Sequence, residues 1–236
     1  MLKEYFLVLI TSFIVFTSSI HPAIAAPGDK DAFDKRMTDF LSTSLSPKSS
    51  DVDIKLSADE LIKFSSDYPN SQFANDALIL PTLILFVGAS SQGDKDAALV
   101  YINRVQDIAN KYPAGKLNDF TCKRWRELLG MQSSGAVFIP YKYLPAYMRG
   151  SLGVDSRDFQ AVIDNFEDLK ENLDFKKDTS DMLAYEIYTP LLIAYRYLGE
   201  TDRFDSTIKE ARKKFPDNLL LMEAINRVTS ESQDKQ

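Results

Sequence analysis

The stretch that decides the fold is residues 185–218, YEIYTPLLIAYRYLGETDRFDSTIKEARKKFPDN. Its two halves each repeat large apolar side chains at steps of three and four residues, the spacing of a helix buried on one face. Gly199, followed by an acidic residue, separates the halves, and Phe215-Pro216 closes the second one because proline cannot continue a helix. The segment therefore predicts two antiparallel helices joined by a tight turn. The apolar stripes are Tyr188, Leu191, Tyr195 and Leu198, then Phe204, Ile208, Ala211 and Phe215.

The same features recur toward the N-terminus. Tyr68-Pro69 and Tyr112-Pro113 repeat the aromatic–proline ending, and Gly93-Asp94 repeats the turn. Only nine glycines occur in 236 residues, and long alternating β-branched runs are absent, so strands are not favoured. We therefore expect an all-α fold in which helix pairs repeat along the chain. Further helical stripes are Phe33, Met37, Phe40 and Leu41; Leu61, Phe64 and Tyr68; Ala98, Tyr101, Val105, Ile108 and Tyr112; and Phe159, Val162, Phe166, Leu169 and Leu173.

Residues 185–218 resemble a tetratricopeptide repeat (TPR). The large aromatic, leucine, tyrosine, turn glycine, alanine and terminal proline of that family match Tyr188, Leu191, Tyr195, Gly199, Ala211 and Pro216. Larger residues than the family prefers stand at Leu192 and Phe204. A second unit, about 79–113, matches at Leu85, Gly93 and Ala98, and the junction from Phe64 to Ala77 resembles repeats of bacterial outer-membrane assembly and Tol–Pal-associated proteins. The resemblance implies stacked antiparallel helix pairs in a right-handed, TPR-like solenoid.

The chain is divided on this basis into six segments. A capping box formed by Ser57 and Glu60 is expected to start the first repeat helix. The stretch 132–156 contains prolines, glycines and four aromatic residues without helical periodicity, so we expect an irregular, aromatic-rich insertion there. The expected segments are a signal peptide (1–25), an N-terminal helix and loop (26–56), TPR-like helix pairs (57–131), the insertion (132–156), further TPR-like pairs with a capping helix (157–230) and a polar tail (231–236).

Residues 1–25 predict export. A weakly basic start, an uncharged apolar run over residues 6–16 and the sequence Ala23-Ile24-Ala25 form the secretory pattern. We expect cleavage after Ala25 and a periplasmic or extracellular location; the alternative is an uncleaved N-terminal anchor. Cleavage also removes His21, the only histidine, which would exclude histidine-dependent nucleophiles and zinc sites. Cys122 is the only cysteine, so we expect a buried hydrophobe, or alternatively an intermolecular disulfide.

Charge and composition exclude further function classes. The chain carries 34 acidic against 28 basic residues, a net charge of −6, which argues against binding the nucleic-acid backbone. The best apolar stretch after residue 25, 77–89, is short and contains Pro81, so we expect no integral membrane span after cleavage. No phosphate-binding glycine loop is present, and we expect no metal and no cofactor.

Two sets of residues are candidates for binding a partner. On the first helix of the unit 185–218, the resemblance places Glu186, Thr189, Ile193, Arg196 and Tyr197 on a concave surface. In the predicted insertion, Tyr141, Tyr143 and Tyr147 offer aromatic rings and hydroxyls to an extended partner. These residues predict a non-enzymatic adaptor of the cell envelope that binds a peptide or protein.

The sequence leaves two alternatives open. One is an obligate structural subunit of an envelope complex, whose apolar positions on 80–87 lie in the interface. The other is a histidine-independent carboxylate enzyme that acts on glycans, for which Asp51 with Asp53 and Asp178 with Asp181 are the candidate pairs.

Overall fold

The structure is a computed structural model that describes residues 28–46, 48–129, 139–175 and 180–230. Every regular element in these ranges is helical, which confirms the all-α prediction. The predicted signal peptide and polar tail lie outside the described residues. The helices are α1 (Asp29–Leu45), α2 (Asp51–Asp67), α3 (Ala74–Gln92), α4 (Lys95–Lys111), α5 (Asp119–Leu129), a 3-10 turn (Tyr141–Tyr143), α6 (Leu144–Ser156), α7 (Phe159–Asn172), α8 (Ser180–Leu198), α9 (Thr201–Lys214) and α10 (Leu219–Ser230).

The helices form two compact units. The N-terminal unit contains α1 to α5 together with residues 139–142, and the C-terminal unit begins at Tyr143 and contains α6 to α10. The chain passes from one unit to the other within the predicted insertion, 132–156.

The N-terminal unit is a series of helices in which neighbours along the chain pack together. α2 packs on α1 and on α3, and α3 also packs on α4. An aromatic cluster joins the first three helices, because the Phe33 ring stacks on Phe73 at 4.8 Å and meets the edge of Phe64 at 5.3 Å. All three side chains are fully buried, so this cluster is the centre of the unit's core.

The C-terminal unit is organised around α8. This helix packs on α7, α9 and α10, and α7 also packs closely on α6. Gly150 makes the close approach of α6 and α7 possible, since a Cβ atom at that position would lie 2.3 Å from the Phe166 ring. Tyr188, Leu191 and Tyr195 of the predicted stripe are fully buried, whereas Leu198 at its end is exposed.

One turn geometry joins three of the helix pairs. Gly93, Arg157 and Gly199 adopt the left-handed conformation with φ of 75°, 56° and 75°. At each turn the next residue's N–H returns to a carbonyl five residues earlier: Asp94 to Ala89, Asp158 to Gly153 and Glu200 to Tyr195. The predicted turns at Gly93 and Gly199 are confirmed. The pair α6–α7 was missed because arginine, rather than glycine, stands at its turn.

The aromatic–proline endings also share one geometry. Tyr68, Tyr112 and Phe215 cap α2, α4 and α9 with φ of −131°, −133° and −132°. In each case the carbonyl of the capping residue accepts an N–H three residues later, which turns the chain after the proline. These endings confirm the predicted helix termini.

The predicted irregular insertion is wrong for residues 141–156. Tyr141–Tyr143 form a 3-10 turn and Leu144–Ser156 form the regular helix α6. Pro145 lies in the first turn of α6, where its missing N–H costs no helical hydrogen bond, and Gly150 and Gly153 lie at close contacts with α7. The residues that suggested irregular structure are therefore compatible with a helix. Residues 130–138 lie outside the described part.

The predicted loop up to residue 56 and its capping box are also wrong. α2 begins at Asp51, six residues before the predicted cap Ser57. Ser50 is the cap: its Oγ accepts the Asp53 N–H, and Asp53 Oδ2 accepts the Ser50 N–H at 2.9 Å. The Ser57 hydroxyl instead donates to the Ile54 carbonyl within the helix. Two serines fit the capping pattern, and the first one starts the helix.

Among the described residues, one helix is long and apolar enough to cross a membrane, and it is α3. It extends beyond the apolar stretch 77–89, which the sequence predicts to be too short for a membrane span. Half of its most apolar window is buried inside the protein, and buried helices of soluble proteins meet the same criteria of length and composition.

Candidate functional site

The residues predicted for the concave surface of α8 do not share one exposed face. Glu186 and Thr189 are buried, with 6% and 3% of their surface exposed. Arg196 donates to the Val228 carbonyl of α10 at 2.6 Å, which ties the two helices together. Ile193 is half-buried, and Tyr197 is 72% exposed. The prediction of a solvated surface is therefore wrong for Glu186 and Thr189.

Glu186 is buried because it faces α6. The Tyr147 hydroxyl donates to Glu186 Oε2 at 3.1 Å, and the Tyr147 side chain is itself buried. Burial raises the pKa of the Tyr147 phenol well above its usual range, and the neighbouring Glu186 raises it further. Tyr147, predicted to contact a partner, is therefore a neutral hydrogen-bond donor inside the C-terminal unit.

Tyr141 is buried in a polar cluster of the N-terminal unit, which we call the Asp76 cluster. The Asp76 side chain of α3 accepts hydrogen bonds from the Asn118 N–H at 2.8 Å, from the Thr121 hydroxyl and from the Tyr141 hydroxyl at 3.1 Å. The Tyr141 ring lies against Gly115, where a Cβ atom would come within 2.5 Å of it. Tyr141 thus fastens its own segment to α3, and the prediction that it faces a partner is wrong.

Burial dominates the electrostatics of the Asp76 cluster. Only 1% of Asp76 is exposed, and desolvation raises its pKa to about 7 although all three hydrogen bonds act in the opposite direction. The pKa of Tyr141 is raised by burial and by the adjacent Asp76. The cluster consists of Asp76, Asn118, Thr121 and Tyr141.

Tyr143 is half-buried at the start of the C-terminal unit. Its hydroxyl donates to the Asn172 carbonyl at the end of α7, at 2.9 Å. Tyr143 and Tyr147 belong to the C-terminal unit, whereas Tyr141 belongs to the N-terminal unit. Each of them makes a hydrogen bond within its own unit.

An exposed aromatic patch remains at the C-terminal end of α8. The Tyr197 ring lies 4.3 Å from the Phe159 ring of α7, measured between centroids, and Leu198 next to it is 44% exposed. We call Phe159, Tyr197 and Leu198 the α8-end patch. Tyrosine with an apolar neighbour is typical of residues that anchor a protein partner, because its ring supplies contact area at a small entropic cost.

A charged network that the sequence analysis missed joins α7, α8 and α9. Glu167 of α7 accepts hydrogen bonds from the Tyr195 hydroxyl and from Arg203. Glu210 of α9 accepts from Tyr188 at 2.8 Å and from Lys214 at 2.6 Å, and Lys170 lies 3.5 Å from it. Burial and these carboxylates raise the pKa of both tyrosines. The apolar stripe of α8 predicted that Tyr188 and Tyr195 face the core, but it did not predict which carboxylates accept their hydrogen bonds.

The described residues provide no support for the two carboxylate pairs that were candidates for glycan chemistry. Asp53 is exposed and belongs to the capping box of α2, where its hydrogen bonds with Ser50 lower its pKa. Asp178 and the side chain of Asp181 lie outside the described part. Within the described ranges, no group of three or more histidine, cysteine, aspartate or glutamate residues is placed to hold a metal ion. Cys122 is buried, as expected for a structural thiol.

The fold and the site define an all-α protein of packed helix pairs with tyrosine–carboxylate hydrogen bonds between its elements. Comparison of the chain with protein-family models, with curated proteins and with solved structures gave no match.

Proposed function

We propose that this chain is an exported, non-enzymatic scaffold of the cell envelope that binds a protein or peptide partner through a TPR-like surface. Export rests on the secretory pattern of residues 1–25. The proposal that it binds a partner is based on the C-terminal unit, with its helix pairs and its exposed aromatic patch.

The arrangement around α8 favours a TPR-like repeat. In a stacked array of helix pairs, the first helix of a pair contacts its own partner and both neighbouring pairs. α8 packs on its partner α9, on α7 of the preceding pair and on α10, which follows. The common turn geometry at Arg157 and Gly199 gives the pairs α6–α7 and α8–α9 the same internal connection.

The observation that carries the binding proposal is the exposure of Tyr197. Of the eight residues proposed for partner binding, it is the most exposed, and its ring lies 4.3 Å from the Phe159 ring, measured between centroids. A partner that covers the α8-end patch would remove this aromatic surface from water, which is the main favourable term in protein association.

Photo-crosslinking in cells tests the proposal. A photoreactive residue at position 197 should capture one envelope protein, whereas the same residue at exposed Lys213 of α9 should not. Tyr197→Ala should then reduce copurification of the captured protein by about tenfold or more, the loss typical of a binding hot spot. Equal capture from both positions, or unchanged copurification of Tyr197→Ala, would contradict the proposal.

The two alternatives are less well supported. The obligate-subunit alternative placed its interface on residues 80–87, but Leu80 and Leu83 are buried within the chain itself. A carboxylate enzyme would require turnover of a glycan substrate that one Asp or Glu substitution abolishes. Such turnover would replace the scaffold proposal.

A further inference from the structure

Three basic side chains share the exposed side of α9 near its C-terminal end. Lys209, Arg212 and Lys213 are three and four residues apart, so they are neighbours on the helix surface. All three are exposed, and none of them forms an ion pair with another described residue. The exposed carboxylates of α9, Asp202 and Asp205, lie in its first five residues. Positive charge is therefore concentrated in the second half of the helix.

This region is positive although the chain as a whole is acidic. Residues 209–220 contain four basic and two acidic side chains, whereas the whole chain contains 28 basic and 34 acidic ones. One of the two acids, Glu210, is paired with Lys214 at 2.6 Å, and the other, Asp217, is exposed. Cations in the last turn of a helix interact favourably with its dipole, but Lys209 precedes that turn. The end of the helix therefore does not account for all of the positive charge.

Two exposed leucines follow directly after the turn that ends α9. The Asn218 N–H donates to the Phe215 carbonyl at 3.1 Å, so the chain turns within four residues. Leu219 and Leu220 then begin α10, with 81% and 47% of their surface exposed. Leu219 is the most exposed large apolar side chain in the described ranges. Basic and apolar side chains thus flank one turn of the C-terminal unit. We define the α9–α10 patch as Lys209, Arg212, Lys213, Leu219 and Leu220.

An anionic lipid surface fits both kinds of side chain. Lysine and arginine are attracted to anionic head groups, and a leucine beside them enters the boundary between the head groups and the acyl chains. Long basic side chains without a fixed partner suit such a surface, because lipid head groups are mobile and need no exact alignment. An acidic peptide would neutralise the basic side chains, but its charged groups would give Leu219 no apolar environment. A lipid surface accounts for the leucines as well as for the charges.

We propose that the α9–α10 patch binds the surface of membranes that contain anionic lipids. The basic side chains contact the lipid phosphates, and Leu219 and Leu220 enter the head-group boundary. Each basic residue raises the affinity for such a surface by about fivefold. The contact is independent of the α8-end patch, because that patch precedes the first residue of α9 whereas this one lies at its end. A lipid contact yields no crosslinked protein, so position 213 stays a valid control for crosslinking at Tyr197.

A fluorophore that responds to the polarity of its surroundings tests the contact in the full chain. It is attached to Leu219→Cys and, in a matched control, to Leu56→Cys on α2, where the native side chain is 61% exposed. Vesicles of equal parts phosphatidylglycerol and phosphatidylcholine should shift the emission at position 219 to shorter wavelength. Vesicles of phosphatidylcholine alone should leave it unchanged, and the probe at position 56 should respond to neither. This readout is local, so membrane binding by residues 1–25 does not imitate it.

Removal of two charges tests the electrostatic part of the proposal. Arg212→Gln/Lys213→Gln in the protein labelled at position 219 should raise the lipid concentration of the half-maximal response by about 25-fold. Added salt should weaken the binding of the parent in the same direction, because it screens the head groups. Lys55→Gln/Lys63→Gln, which removes the same charge from exposed positions of α2, should leave the lipid dependence unchanged. All substituted side chains are exposed, so the helical content measured by circular dichroism should stay the same.

Several results would overturn the proposal. They are an unshifted emission at position 219, an equal shift at position 56, an equal response to phosphatidylcholine alone, and an unchanged lipid dependence of Arg212→Gln/Lys213→Gln. A probe at position 219 that responds to polyglutamate but not to vesicles would overturn it as well, and would assign the patch to an acidic protein partner. Failure of crosslinking at Tyr197 would count against the scaffold function alone.

Discussion

The substitution Asp76→Asn should change how the stability of the N-terminal unit depends on pH. Burial raises the pKa of Asp76 from its ordinary value of 3.8 to about 7 in the folded protein. Between these two pH values the folded state holds a proton that the unfolded state has released, so the free energy of unfolding falls as pH rises. The stabilising contribution is fully present below about pH 4 and is lost as pH rises through about 7. The difference between the two pKa values corresponds to a change of about 4 kcal/mol in the free energy of unfolding, at 1.36 kcal/mol per pKa unit.

Asparagine at position 76 has no carboxyl group to titrate but has nearly the same shape as aspartate. Its carbonyl can accept from the Asn118 N–H and the Thr121 hydroxyl, and its amide can donate to the Tyr141 oxygen. The stability of Asp76→Asn relative to the unsubstituted protein should therefore rise by about 4 kcal/mol between about pH 4 and about pH 8.

Urea unfolding followed by tryptophan fluorescence measures this difference. Trp125, the only tryptophan, lies in α5 of the N-terminal unit and so reports on the unit that contains Asp76. Asp59→Asn, at an exposed position of α2, serves as the control and should parallel the unsubstituted protein at every pH. A stability difference between Asp76→Asn and the unsubstituted protein that does not vary with pH would refute the reasoning.

Three further substitutions and one control test a helix contact, a turn and a helix cap by thermal or urea unfolding. Gly150→Ala should destabilise the C-terminal unit by about 1–3 kcal/mol, because the new Cβ meets the buried Phe166 ring; unchanged stability would contradict the close packing of α6 on α7. Arg157→Gly should stabilise by about 0.5–1 kcal/mol, since glycine adopts the left-handed conformation without strain, and a loss would contradict the turn. Ser50→Ala should cost about 1 kcal/mol through loss of the hydrogen bond to the Asp53 N–H, whereas Ser57→Ala should have a smaller effect.

The helices could be predicted because their signals are local. The apolar stripe of α8 and the turn at Gly199 are set by residues within one or two helical turns, and the aromatic–proline endings work in the same way. α6 was not predicted, because Pro145 and Gly150 are typical of irregular structure. Pro145 is compatible with the helix because it lies in the first turn, and Gly150 is required because the Phe166 ring of α7 packs against it. Neither fact can be recognised from the sequence unless the position of α6 is already known.

The candidate site was harder to predict, because exposure depends on contacts far apart in sequence. Glu186 has the residue type and spacing of a surface position on α8, yet Tyr147, 39 residues earlier, covers it. Asp76 and Tyr141 are 65 residues apart, and no pattern in the sequence joins them. A single sequence gives the face of a helix on which a residue lies, but it does not say which helix face another element covers.

The tyrosines show why residue type alone does not distinguish an exposed position from a buried one. A phenol combines an apolar ring with a polar tip, so tyrosine suits both a partner interface and a buried position where the hydroxyl finds an acceptor. Buried tyrosines of this chain donate to carboxylates of other elements, which satisfies the hydroxyl and fixes the geometry of the helix pairs. Tyr197 differs because its ring lies against Phe159 and is 72% exposed, so it is the exposed member of the eight residues predicted to bind a partner, and its role stays a prediction. These tyrosine–carboxylate pairs are Tyr141–Asp76, Tyr147–Glu186, Tyr188–Glu210 and Tyr195–Glu167.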